Sequence, residues 1–251
     1  MAVKTLHPLQ NGFIGAERSL LFYGTYSSER VAIPVTCYAI RTSDAVILFD
    51  TGLSPRAVSG LARTDSLARF TDDDLLVHRL DALGLRPDDV DAVVISHLHY
   101  DHAGGAELFP KSRLVVQRDE HAYAHHPAPF FAPFYYRKNF DLPGYHWQLL
   151  DGDTELVPGV TVLRTDGHTP GHQSLLLELP DTGPVILAGD CVYWQEHLDH
   201  ERVPGVVWNP TAAFHSIRRL KTLARLVRGQ VFPSHDPVFW KSVKQSPEGY
   251  R

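Results

Sequence analysis

Ala92-Val93-Val94-Ile95-Ser96-His97-Leu98-His99-Tyr100-Asp101-His102-Ala103-Gly104-Gly105 is the stretch on which the reading of this chain turns. Its four leading apolar residues read as a short buried strand. The two glycines close the polar run that follows as a turn. Three histidines and a carboxylate thus stand within six residues at the end of a strand. Histidine is the commonest metal ligand and the usual acid/base group near neutral pH. Four donors are too many for one open tetrahedral site, since a catalytic zinc keeps three protein ligands and one free position. Two adjacent metal ions fit the count better.

Working outward, further donors follow other apolar runs. His168 lies in Thr165-Asp166-Gly167-His168-Thr169-Pro170-Gly171-His172. Asp190 follows Val185–Ala188, with Gly189 between, and His235 follows Val231–Phe232. Alone, His168 or His235 reads as an ordinary satisfied histidine; together the donors predict convergence on one edge of a sheet. Other strands are expected at Val31–Ile40, Ala45–Phe49, Leu114–Gln117, Val160–Leu163 and Ser174–Glu178. One helix is expected from about Asp73 to Leu83, ending at Gly84. Another has Asn209 as N-cap and Pro210 at its first position. Its apolar stripe is Phe214, Ile217, Leu220, Ala224 and Val227, and Gly229 ends it. The basic residues Arg218, Arg219, Lys221, Arg225 and Arg228 on this helix read as a solvated face. Two clusters of strands, each with helices beside it, suit an α/β fold of two sheets packed face to face with helices outside. Element order alone leaves other α/β layouts open.

The chain has 251 residues, enough for one domain spanning 1–251. Lys and Arg number 24 against 29 Asp and Glu, a net charge of −5. That balance lacks the electrostatic footprint of a nucleic-acid binder. Two cysteines, Cys37 and Cys191, make no disulfide scaffold. The start, MAVKTLHPLQNG, has no apolar signal region, and no apolar run reaches the ~20 residues of a membrane helix. The expected setting is the cytoplasm, with no membrane partner.

The HxHxDH pattern, the lone His168, the lone Asp190 and the late His235 resemble the metallo-β-lactamase superfamily, as does the earlier Phe49-Asp50-Thr51-Gly52. The resemblance implies a four-layer αβ/βα sandwich of two mixed sheets with outer helices. It also implies that His97, His99 and His168 hold one divalent metal, that Asp101, His102 and His235 hold a second, and that Asp190 bridges them. Zinc is favoured; cobalt, manganese and iron tolerate similar donors. Asp50 is read as the partner behind a metal-binding histidine, and His172 as supporting rather than ligating. Cys191 is read as a small buried hydrophobe facing away from the metals. His121, His125, His126, His197 and His200 lack ligand spacing and read as surface or loop residues, and Asp236 as a turn residue.

Within the superfamily the chain is similar to the N-acyl homoserine lactonases. Tyr193 lies three residues after Asp190, as their substrate-orienting tyrosine does, and His168-Thr169-Pro170-Gly171-His172-Gln173-Ser174-Leu175 resembles their third-ligand segment. It departs in having Asp166 where a proline is usual, and in a longer, more aromatic segment, 128–147. The implied chemistry is attack of a metal-bridging hydroxide on a small-molecule lactone, with Tyr193 steadying the oxyanion and Asp101 passing the proton to the leaving oxygen. Tyr100, Phe70, Leu20 and Leu21 are candidates for the substrate wall. Eight aromatic residues between Phe130 and Trp147 either extend that wall or cap the core or an interface. Hydrolysis of another small lactone such as 4-pyridoxolactone, or of an ester or thioester, is the alternative. A metal-dependent binding or sensor module is the non-enzymatic one. A homodimer is compatible with all of these.

Overall fold

The computed structural model describes residues 3–141 and 143–251. The first half contains β1 (Val3–Glu17), α1 (Arg18–Leu21), β2 (Arg30–Thr42), β3 (Val46–Phe49), α2 (Pro55–Thr64), α3 (Leu76–Asp81), β4 (Ala92–Val94), β5 (Arg113–Gln117), α4 (Arg118–His125) and β6 (His146–Leu150). The second contains β7 (Thr154–Val157), β8 (Val160–Arg164), β9 (Gln173–Leu179), β10 (Gly183–Leu187), α5 (Gln195–His200), α6 (Pro210–Val227), β11 (Gln230–Phe232) and α7 (Pro237–Ser242).

The strands form two mixed sheets, ordered β1-β2-β3-β4-β5-β6 and β11-β10-β9-β8-β7. In the first, β1, β2 and β3 are antiparallel and β3 to β6 run parallel. In the second, only β10 and β11 are parallel. Alternate residues of facing strands meet in the central core, among them Ile40, Phe49, Val94 and Val115 from one sheet and Val162, Leu175, Leu187 and Phe232 from the other. The opposite set on the first sheet, including Leu48, Val93 and Val116, packs against α3 and the segment around Phe131–Phe140. The outer face of the second sheet buries Ile186 against Ile217, Leu220 and Ala224 of α6. The layers are therefore helix, sheet, sheet, helix, as the resemblance implied.

α6 forms where expected. The Asn209 carboxamide oxygen accepts from Thr211 and Ala212 N–H, and Pro210 opens the helix. Its fully buried stripe is Ala213, Ser216, Ile217, Leu220 and Ala224, so Phe214 and Val227 lie at its half-buried margins. The helix expected over Asp73–Leu83 is shorter: a single 3₁₀ turn at Asp72–Asp74 precedes α3.

The longest strand, β1, was not among those expected. Pro8 and Asn11-Gly12 read as breakers in sequence. As an edge strand whose one strand partner is β2, with isolated bridges from Leu6 to Tyr250 and from Phe13 to Arg69 on its other side, it accommodates both. The register shifts between Gln10 and Phe13, where Gly12 sits at φ +88° beneath the ring of Phe70. β6 and β7 were missed for a similar reason: both are short edge strands without a clean alternation. No described helix is long and apolar enough to cross a membrane.

A candidate dinuclear metal centre

The loops that leave β3, β4, β8, β10 and β11 meet at one end of the sandwich, and each brings a donor or its support. His97, His99 and His168 form one group whose donor atoms lie within 4.8 Å of one another. His168 Nε2 is 3.1 Å from His97 Nε2 and 3.2 Å from His99 Nδ1. Burial first, and neighbouring imidazoles second, hold His97 well below the usual histidine range; burial does the same for His99 and lowers His168. Neutral imidazoles turn lone pairs inward at such distances only around a proton or a cation. The donor set therefore fits a divalent ion.

Asp101, His102 and His235 form the second group. Asp190 stands between the two. Its Oδ2 faces His168 Nε2 at 3.4 Å and His97 Nε2 at 3.7 Å, while its Oδ1 faces His235 Nε2 at 3.1 Å and His102 Nε2 at 3.2 Å. His102 Nε2 is buried without a well-formed hydrogen bond, an orphan that a metal at this point would satisfy. Here the electrostatics differ. Burial opposes charge on His102 and His235, but Asp190 outweighs it, helped on His102 by Asp50 and on both by Asp101, and both histidines are raised. Burial would raise Asp190 in turn, but His102 and His235 pull it well below the usual carboxylate range.

Three of the imidazoles are aimed by their other nitrogen. His168 Nδ1 meets the Val206 carbonyl at 2.8 Å, and His235 Nδ1 meets the Pro34 carbonyl at 2.8 Å. His102 Nδ1 meets Asp50 Oδ2 at 2.8 Å. Those contacts leave Nε2 of each ring for the centre. Asp50 also accepts from the Ser96 N–H at 2.6 Å and the Ser96 hydroxyl at 2.8 Å. These bonds offset the cost of its left-handed backbone, φ +61°. His172 has no nitrogen to spare: its Nε2 accepts from the Asp190 N–H at 2.9 Å, and its Nδ1 faces the Thr165 carbonyl at 3.1 Å. Burial pulls it down to about 3, so it stays neutral and fixes the turn that presents Asp190. Cys191, in that same 3₁₀ turn rather than in extended backbone, packs beneath α6.

Two buried residues had no signal in the sequence. Glu120 lies on α4 beside charged surface residues, yet its side chain is enclosed. It accepts from the Leu98 N–H at 3.0 Å, the Gly171 N–H at 3.3 Å and the Tyr135 hydroxyl at 3.1 Å. It thus ties the loop of His97 and His99 to the loop of His168. Gly171 crosses Glu120 so closely that a Cβ would collide with its backbone. His197 corrects an expectation. It is buried, not a surface residue: its Nδ1 accepts from the Trp194 N–H at 3.0 Å, its Nε2 faces the Leu21 carbonyl at 3.0 Å, and it stacks on Phe22. Only the packing of α5 on α1 reveals that. Asp236 caps α7, accepting from Val238 and Phe239.

The cleft over the cluster has walls that include Leu20, Leu21, Tyr100, Phe134, Tyr193 and Val206. Phe70 is not among them; its ring is spent covering Gly12. The aromatic segment divides. Phe131 and Tyr135 are buried against the first sheet, and with Phe134 they surround the ring of His99 at centroid distances of 6.3, 4.7 and 5.1 Å. Tyr136 stacks on Tyr100, and Phe130 is exposed. Tyr193 is buried with its hydroxyl 3.3 Å from His168 Nδ1, and burial raises its phenol well above the ordinary range.

Comparison with known proteins draws on the same residues. Residues 30–235 match the metallo-beta-lactamase superfamily. An N-acyl homoserine lactonase from a Bacillus species is 36% identical over 99% of both chains. The N-acyl homoserine lactonase AttM of Azorhizobium caulinodans is 39% identical over 71% of this chain and 70% of its own. A crystal structure of an N-acyl homoserine lactone hydrolase, with the product N-hexanoyl-L-homoserine at its catalytic metal center, has a TM-score of 0.90 and 34% identity, covering 99% of this chain and 100% of that one. A match of that extent, on a chain whose two sheets bring these donors together, means that this protein belongs to the metallo-β-lactamase superfamily.

Proposed function

We propose that this protein is a dinuclear metal-dependent lactonase that opens the ring of N-acyl homoserine lactones. The observation that carries the reading is the position of Asp190, with one carboxylate oxygen toward each group of donors. Lactonase relatives matched end to end supply the substrate class. His97, His99 and His168 would hold one ion, Asp101, His102 and His235 the other, and Asp190 both; zinc is favoured by the histidine-rich set. Bound divalent ions supply a water nucleophile near neutral pH and positive charge for the oxygens of the opening ring. Water adds to the carbonyl carbon, the ring C–O bond breaks, and the proton taken from water ends on the ring oxygen, giving the N-acyl homoserine.

The chain's own residues guide that sequence. Tyr193, kept protonated by burial, donates to the carbonyl oxygen as it gains charge. Asp101, the least buried carboxylate of the cluster, carries the proton to the leaving oxygen. Leu20, Leu21 and Phe134 hold water away from the ring. The buried free thiols Cys37 and Cys191 suit a reducing, cytoplasmic setting. The test is a pH-stat assay of the metal-loaded protein on acyl homoserine lactones from four to twelve carbons, 4-pyridoxolactone, a thioester and a β-lactam. Acid release from the acyl homoserine lactones, with KM falling as the chain lengthens, is expected. Turnover confined to 4-pyridoxolactone would move the assignment to small lactones, and none on any substrate would leave a binding module.

A further inference from the structure

Asp190 is held in two places by different residues. Its backbone is set by His172, whose Nε2 accepts from the Asp190 N–H at 2.9 Å. Its side chain is met by Ser234, whose hydroxyl donates to Asp190 Oδ1 at 2.8 Å. Ser234 is 4% exposed and Asp190 3%, so bulk water does not compete for that bond. Ser234 follows β11 and is itself clamped. Its N–H donates to the Val192 carbonyl at 3.0 Å, and its carbonyl accepts from the buried Thr36 hydroxyl at 3.1 Å. The first contact ties it to the loop that carries Asp190, the second to β2.

The other contacts of this carboxylate change character when the site is loaded. Oδ1 also faces His235 Nε2 at 3.1 Å and His102 Nε2 at 3.2 Å. A ligating imidazole presents a lone pair to its ion, not a proton. Once a cation takes those two nitrogens, neither can donate to Asp190. Oδ2 accepts from no hydroxyl and no backbone N–H among the described residues; it faces only His168 and His97. The Ser234 hydroxyl is then the hydrogen bond that the carboxylate keeps. It falls on one oxygen alone, and a hydrogen bond to an ionised, buried acceptor is of the stronger kind.

We propose that Ser234 is a positioning residue for Asp190. Its hydroxyl fixes the rotation of the carboxylate, so that Oδ1 stays with His102 and His235 while Oδ2 reaches toward His97 and His168. Ser234 does not line the cleft, so it acts through Asp190 and not on the substrate. That Asp190 joins two ions rests on the reading above; the role of the hydroxyl rests on its own contact and on the burial around it.

The test compares Ser234→Ala, which deletes the hydroxyl, with Ser234→Thr, which keeps it. Zinc affinity is read by equilibrium dialysis against a chelator with elemental analysis. In Ser234→Ala one zinc equivalent should be held about tenfold to 100-fold less tightly, and the other should stay nearer wild type. Ser234→Thr should retain wild-type affinity. At limiting zinc, kcat on N-octanoyl-homoserine lactone should fall in Ser234→Ala with KM unchanged. Ser234→Gly repeats the deletion with a smaller side chain, so the test stands even where the alanine variant does not fold. Thr36→Val is the control: it loosens the Ser234 backbone but leaves the hydroxyl, and should lower Tm while sparing zinc affinity. Wild-type affinity for both equivalents in the deletion variants overturns the proposal. Equal weakening by Thr36→Val also overturns it, assigning the effect to loop packing. A wild type that holds one zinc, still weakened in Ser234→Ala, would fail the dinuclear reading and leave Ser234 in its role. Two zinc ions that Ser234→Ala does not disturb give the converse.

Discussion

The two halves of the donor cluster lie against the same carboxylate and are built on opposite electrostatics. His97, His99 and His168 are kept neutral by burial. His102 and His235 are raised, burial notwithstanding, by Asp190 at both, with Asp50 and Asp101 adding at His102 and Asp101 at His235. Protons therefore compete with a metal less at the first half than at the second. The contrast teaches that donor identity alone does not set a site's readiness: five histidines of one chemistry divide according to how many carboxylates each one faces.

The hardest test of the contrast removes the residue the halves share. Asp190→Ala should lower kcat/KM by more than ~100-fold, beyond the usual cost of losing an outer partner, and bring metal content below two ions per chain. Circular dichroism should remain near wild type, because the sheet cores do not use this carboxylate. Full occupancy of both sites in that variant would end the bridging assignment.

Acid should separate the halves. Protons compete with metal at His102 and His235 from a raised pKa, so one equivalent of metal should leave first as pH falls, with activity lost below about pH 6. Metal analysis after dialysis across pH 8 to 5 reads this, and simultaneous loss of both equivalents would erase the distinction. In the metal-free chain the signs oppose each other. The folded pKa of His97, His99 and His168 lies below the unfolded value of about 6.5, so their contribution to stability is lost as pH falls below it. That of His102 and His235 lies above it, so their contribution is complete below about 6.5 and is lost as pH rises through the raised folded value.

Glu120 sharpens the comparison from outside, since the two backbone N–H groups it holds lie beside donors of the neutral half, Leu98 between His97 and His99 and Gly171 three residues after His168. Glu120→Gln places an NH₂ among N–H donors and should weaken the first metal by about tenfold to 100-fold, leaving the second nearer wild type. A competition titration with a chelator measures both, and equal weakening would mean that the loops move as one. The smallest effect is expected from Tyr193→Phe, about tenfold in kcat. That is less than the ~100-fold of a sole oxyanion donor, because metal charge shares the task. Unchanged metal content with wild-type turnover would reduce Tyr193 to packing.

The legible part of the molecule was the part in which neighbours in sequence are neighbours in space. His97 to His102 follow one buried strand, and α6 carries its own cap and stripe, so local pattern and tertiary role coincide. β1 was missed because Pro8 and Asn11-Gly12 are breakers except on a bulged edge. The place of Phe70 is not legible locally because its partner, Gly12, lies far away in the chain. The aromatic segment could not be divided into rings around His99 and rings in solvent without knowing which side of it met the first sheet.

By itself the sequence determined the kinds of donor, their spacing within loops and most of the short apolar runs that become strands, because these depend on residues close together in the chain. Only the tertiary structure decided which carboxylate oxygen faces which histidine, which histidines are raised and which lowered, that Glu120 ties two loops and that Asn139 is left without an acceptor. Charge, burial and hydrogen-bond satisfaction depend on distances between residues far apart in sequence, and those distances exist only once the sheets have packed.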